Sequence, residues 1–387
     1  TVSLAGNATF SPHSTSFGAA SQFGTDFSLG AITETVGGSS ITKGGLGNLT
    51  FTGANNYSGN TTVTNGSLIL NGSASIANSP NIVVGGGATL DVSTLSSTFT
   101  LGAAQTLSNI TSTAALSGNA DASVGTVSLR YASGTPSFTV LNGALTVASG
   151  TPFKVNNTGA ALIKGNYKLI SAGTGGSIAG TAPSAVTVAG SGLAGAGTPS
   201  LQINANELYL VVPNSAPTIA HIVTNTVASG LTWKISAASL AAAAGWSDID
   251  NDTLTITAAG PTSNLGKSVT EDGNFVFYNA AVTGEDFLTY TISDGTTTAN
   301  GTIYLEPSGP PPAPANLSLV VTGGNGVATI TFAGIPGRTN VVEASSNLVD
   351  WNAISTNVAG TNGLWQVIDS DAPNFVNRYY RSYQVYP

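Results

Sequence analysis

Residues 43 to 72 read KGGLGNLTFTGANNYSGNTTVTNGSLILNG. Short alternating runs, Leu49-Thr50-Phe51-Thr52, Thr61-Thr62-Val63-Thr64 and Ser67-Leu68-Ile69-Leu70, are separated by clusters of Gly, Asn and Ser. Alternation gives each run one face for a core and one for water, and the Gly/Asn clusters turn the chain back. Strands this short and this closely spaced suit the coils of a parallel β-helix. The pattern recurs in NIVVGGGATLDVS (81 to 93), FTLGAAQTLSNIT (99 to 111) and onward to the run LYLVV ending at Val212. At about 20 residues per coil this gives about ten coils. Strands stacked about 4.8 Å apart would then build a rod on the order of 45–50 Å long.

Charge is scarce: 7% of residues are charged, against about 25% in an average soluble protein. Hydroxyls and amides must wet the surface instead. Residues 1 to 210 hold five acids (Asp26, Glu34, Asp91, Asp121, Glu207) and five bases (Lys43, Arg130, Lys154, Lys164, Lys168). That neutrality fits a parallel stack, in which equivalent positions lie over one another: like charges would repel, whereas Asn and Thr form hydrogen-bonded ladders. Residues 211 to 313 carry nine acids and two bases, so the acidity of the chain is concentrated there. No basic patch exists to neutralise phosphates, which excludes nucleic acid as a partner. No run of about 18 apolar residues marks a membrane span. Cys and Met are absent, so neither a disulfide framework nor a thiolate metal site is available. A first residue Thr1 in place of Met is expected of a mature exported chain after leader removal.

Lys43, Gly45, Gly47, the LTFTGANNYSG core and the Gly66-Ser67-Leu68 step together resemble the autotransporter-associated β-strand repeat of bacterial secreted passenger domains. The resemblance implies a long extracellular β-solenoid on the bacterial cell surface, with a structural or adhesive role. It places Lys43 at a family position, expected to be a solvent-facing coil residue. The family's C-terminal translocator barrel has no counterpart here, which implies its removal or another export route. The predicted fold class is all-β: a right-handed parallel β-helix over 1–212, followed by two small antiparallel β-sandwich domains.

The second region, 213–306, contains WKISAASLAAAAGWSDIDNDTLTI, DGNFVFYNA and EDFLTYTISDG. Its Asp-rich loop and paired strands resemble bacterial cadherin-like or tandem Ig-like surface domains, which implies a small β-sandwich. Residues 238 to 244 are read as a short helical turn inside it. Residues 307–314 (PSGPPPAP) form a Pro-rich linker that favours stiff polyproline II. Residues 315–387, with FAGIPGRTNVVEASSNLVDWNAI and NRYYRSYQV, read as about seven strands of a fibronectin-type-III-like sandwich. Trp351 and Tyr379 are expected in or beside its core.

Asp248-x-Asp250-x-Asp252 is the strongest candidate site. Carboxylates at alternate positions of a loop can converge on a hard cation, and Ca²⁺ takes about six to eight oxygens. Glu285 and Asp286 would add ligands, as acidic loop residues do in the related surface domains. Thr253 stands where a D-x-D-x-D-G loop has Gly, and a solvated acidic turn held by Asx hydrogen bonds is the alternative. Calcium is the one cofactor indicated. No catalytic residues are assigned. His13 and His221 are the only histidines and neither has a metal-ligand spacing; the acids of the first region are scattered. Gly85 to Gly87 read as turns rather than a phosphate loop. Sequons at Asn7, Asn56, Asn60, Asn65, Asn71 and Asn109 are expected by chance in so Asn/Ser/Thr-rich a chain.

The function expected is that of a non-enzymatic extracellular structural protein, a subunit of a cell-surface fibre that self-associates through strands or solenoid ends. Residues 1–25 would either cap their own rod or pair with a neighbouring subunit's edge. The alternative is a monomeric adhesin or glycan-binding protein, for which Trp233, Trp246, Trp351 and Trp365 are the candidate aromatics.

Overall fold

The computed structural model describes residues 1–12, 14–16, 22–24, 26–132, 134–308, 318–322, 326–333, 337–361 and 363–384. The chain is all-β and divides into two compact units. The first comprises Thr1–Ser215 with Ile249–Asp252, the second Ala216–Asp248 with Thr253–Pro387.

Strands of the first unit alternate between two long sheets. One sheet orders Ala8–Phe10, Ile41–Lys43, Thr61–Val63, Asn81–Val84, Thr106–Asn109, Thr126–Tyr131, Phe153–Asn157 and Val186–Gly190, every pair parallel. The other runs in parallel from Phe27–Leu29 through Asn48–Phe51, Ser67–Gly72, Thr89–Leu95, Ala114–Ser117 and Phe138–Val147 to Gly165–Gly180. It closes with the antiparallel strands Glu207–Val212 and Ser200–Asn204. Because each strand pairs in parallel with the equivalent strand of the next pass, residues of like position stack. Leu49, Leu68, Leu90, Leu116 and Val140 form one such column, and all five are fully buried. Burying one such side chain is worth about 1.5–3 kcal/mol, so each column stabilises the stack along its length.

Polar groups inside this core are matched. Thr61 sits in a column between Ile41 and Ile82; its hydroxyl bonds Tyr57 Oη at 2.6 Å and Ser79 Oγ at 2.8 Å. Asn55 accepts from the Ile32 N–H and donates to the Ser75 carbonyl. Asn109 accepts from the Arg130 N–H and donates to the Thr111 and Arg130 carbonyls. Each of these asparagines joins successive passes of the chain.

Lys43 corrects the expectation of a solvent-facing residue. It is wholly buried, and its ammonium donates to the carbonyls of Gly44 (2.7 Å), Gly45 (2.9 Å) and Asn65 (2.8 Å). Three carbonyls take all three of its protons, which is what allows a charge into the column above Val63. Burial nevertheless lowers its pKa, with the Asp26 carboxylate acting in the opposite sense.

Within residues 1–25, Val2–Leu4 and Ala8–Phe10 pair with Ile32–Glu34 and Ile41–Lys43 of the same chain. Positions 13, 17–21 and 25 lie outside the described residues, as does most of the Pro-rich stretch 307–314.

The second unit has two separate hydrophobic cores. One gathers Leu240, Val276, Tyr278, Leu288, Ile292, Ile303 and Leu305. Its sheets are antiparallel except that Val223–Ala228 runs parallel to Thr298–Ser308, a departure from the all-antiparallel expectation: the first long strand of the region lies beside its last. The helix Ala237–Ala244 is capped by Ser236 Oγ, which accepts from the Ser239 N–H, and ends at left-handed Gly245. The other core gathers Ile330, Phe332, Val342, Trp365 and Val367, between two three-stranded antiparallel sheets. Phe332 and Trp365 stack with ring centroids 5.5 Å apart. Tyr379, expected near the core, is exposed, and Tyr380 packs inward instead.

Candidate functional site

The acidic loop begins where strand Trp246–Ser247 ends, paired with Thr218–Ile219. Asp248 follows directly. Strand Asp286–Ser293 ends at Asp294, and its register places Ser293 opposite Thr255. One carboxylate oxygen of Asp248 and one of Asp294 lie within 4.8 Å of each other. Two carboxylates at that separation repel by about 3 kcal/mol at an effective dielectric of about 20, and a divalent cation between them reverses the sign.

Local donors hold Asp294 in place. Its Oδ1 accepts from the N–H groups of Thr296 (2.6 Å) and Thr297 (2.5 Å), and its Oδ2 from Thr297 Oγ1 (2.6 Å). Gly295 makes the turn at φ 91°. Asp294 is a ligand candidate that sequence reading missed. Its only local signal is Asp-Gly after a strand, which reads as a turn, and the neighbour that makes it interesting is distant in sequence.

Asp250, Asp252 and Asp286 each have hydrogen-bond or ion-pair partners. Asp250, in the first unit, accepts from the N–H groups of Lys164 (2.7 Å) and Ser215 (2.6 Å). Burial pushes its carboxyl up, but the two N–H groups, the Ser215 side chain and the Lys164 charge together bring its pKa below the ordinary value. Asp252, in the same unit, forms an ion pair with Lys164 Nζ at 2.6 Å. Glu285 is exposed.

Asp286 is buried and accepts four hydrogen bonds: from Ser263 Oγ, from Tyr278 Oη at 2.8 Å, and from the N–H groups of Leu265 (3.0 Å) and Phe287 (2.8 Å). Burial pushes its pKa up, but Ser263, Tyr278 and the two amides bring it below the ordinary value. Tyr278 is pushed up to about 12, by burial first and by Asp286 second. These contacts make Asp286 an anchor between three segments.

The five acids of the first region are likewise tied locally. Asp26 accepts from the Asn48 N–H, Glu34 from Ser58 Oγ, Asp91 from Ser93 and Asp121 from the Ser123 N–H, while Glu207 pairs with Lys168. Of the histidines, His221 is exposed and His13 lies outside the described residues. None of the four tryptophans is fully exposed. Trp365 is buried; Trp233, Trp246 and Trp351 are half-buried, with Trp246 donating to Tyr290 Oη and Trp351 covered by the Arg381 guanidinium. The Asn109 sequon is buried with its amide fully engaged. Among the described residues no helix is long and apolar enough to cross a membrane.

Residues 213–308 match the family model of the cadherin-like domain. No curated protein matches the chain. Among solved structures, the secreted serine protease VesC from Vibrio cholerae aligns at 11% identity over 49% of this chain and 51% of that one, with a TM-score of 0.14, too low for a shared fold. The chain thus spans about half the length of that structure.

Proposed function

We propose that the first unit is a right-handed parallel β-helix and that the protein is a non-enzymatic extracellular structural protein, a self-associating subunit of a bacterial cell-surface fibre. One observation carries this reading. Among the described residues, Val2–Leu4, Ala8–Phe10 and Phe27–Leu29 each pair on one side only. An unpaired strand edge is a template for another strand. The outward column Thr9, Thr42 and Thr62 beside it is uncharged, so a strand added there meets no like charge. The cadherin-like match and the absence of Cys support an extracellular setting. The local engagement of each acid in the first region supports a non-enzymatic role.

Calcium held by Asp248 and Asp294 belongs to the same reading, as a brace for the acidic region. Of the aromatics considered for the glycan-binding alternative, Trp365 is buried and removed from it, whereas Trp233, Trp246 and Trp351 are half-buried. Negative-stain electron microscopy of the purified native protein tests the proposal: filaments support it, and single monodisperse particles in physiological salt overturn it.

A further inference from the structure

A groove of about 420 Å³ opens on the first unit beside strands Thr89–Leu95, Ala114–Ser117 and Phe138–Val147. Its size falls within the range of about 300–1,000 Å³ of small-ligand sites. Strand pairing slips there, between Leu116 and Ser117 and again between Val140 and Asn142. The floor is bare backbone at Gly118 and Gly143. A Cβ on Gly118 would stand 2.4 Å from the Ser93 nitrogen, and one on Gly143 2.5 Å from the Gly118 carbonyl carbon. Both glycines also have positive φ, 102° and 73°, so side chains are excluded twice over.

The walls are polar and neutral. Asn119, which lines the groove, accepts from the Ala144 N–H through Oδ1 at 3.0 Å, which orients the amide and leaves Nδ2 as a donor. Asn142 Nδ2 donates to Ser117 Oγ at 3.0 Å, which leaves Oδ1 as an acceptor. The hydroxyls of Ser96, Ser97 and Thr98 line the groove and have no side-chain partner among the described residues. Leu95 adds a half-buried apolar strip. No lining residue is ionisable.

We infer that this groove binds a neutral sugar unit of a glycan. A sugar offers alternating donors and acceptors with one C–H face. The groove answers with a fixed donor, a fixed acceptor, three hydroxyls of either kind and the Leu95 strip. An anionic ligand would give up its hydration with no charge in return. Because both amides are already oriented, little side-chain freedom is lost on binding. Sugar binding in this groove is independent of fibre formation.

The test is saturation-transfer NMR on the full chain with cellobiose, maltose, lactose and chitobiose, and sialyllactose as the anionic control. At least one neutral disaccharide should show transfer, and the sialic acid ring none. Asn119→Asp keeps the acceptor for Ala144 and replaces the donor amide with an anionic oxygen; loss of that one hydrogen bond weakens binding about tenfold. Ser97 is exposed, so Ser97→Ala leaves the fold in place and weakens binding about threefold, at the low end of one hydrogen bond. The inference is overturned if no neutral disaccharide shows transfer, or if binding survives both substitutions unchanged.

Discussion

Lys43→Met removes one ammonium and keeps most of the side chain's volume. Three carbonyls then lose their donor: a fully buried contact at Gly44 and partly buried ones at Gly45 and Asn65. Orphaning a buried acceptor costs about 1–3 kcal/mol, and a partly wet one less, so the gross loss is about 3–6 kcal/mol. An offset applies. Burial lowers the Lys43 pKa, so the carbonyls do not fully compensate the desolvation of the charge, and methionine escapes that cost. The net expectation is about 2–4 kcal/mol of destabilisation, or about 5–10 °C in a unit of some 200 residues. The chain supplies its own control, because all four tryptophans lie in the second unit. Far-UV circular dichroism should show a component melting earlier while the tryptophan fluorescence transition stays in place. A circular dichroism shift below about 1 °C would refute the role assigned to the three carbonyls, since a single lost buried hydrogen bond already exceeds it.

Asp286→Asn cannot serve all four donors, and should destabilise the second unit by about 2–4 kcal/mol in fluorescence-detected denaturation. Asp286 also sets a pH dependence. Its folded pKa lies below its unfolded value, so its stabilisation is present above the unfolded pKa and is lost as pH falls through the folded one. Acid titration of the tryptophan signal should show this loss in the wild type and a flatter profile in Asp286→Asn. Calcium should raise the fluorescence-detected melting temperature of the wild type, and Asp294→Asn should abolish the increase; an equal rise in both would remove Asp294 from the site.

Much of the strand pattern was legible because side chains alternate faces with a period of two. Leu49, Phe51, Leu68 and Leu70, the inward residues of the opening runs, are all fully buried. Lys43 was not legible, since one of the carbonyls it serves belongs to Asn65, 22 residues away. In the last strand, Tyr379 and Tyr380 are adjacent aromatics, and alternation alone cannot tell which faces in. At the acidic site the spacing Asp248-x-Asp250-x-Asp252 was visible, but its use was not. Asp250 is taken up by the backbone N–H groups of Lys164 and Ser215, and Asp294 lies near Asp248 although 46 positions separate them in the sequence.

The most direct test of the fibre reading is a comparison of wild type with Thr9→Pro by negative-stain electron microscopy. Ala8 donates to the Ser40 carbonyl and the Phe10 carbonyl accepts from Gly44. The alternate residue Thr9 therefore turns its N–H to the unpaired side. Proline there removes an outward donor and no internal hydrogen bond. Filaments are expected in the wild type, with strands stacked about 4.8 Å apart along the fibre axis, and short or absent filaments in a folded Thr9→Pro variant. Single wild-type particles at every concentration, or filaments of equal length in both proteins, would contradict it.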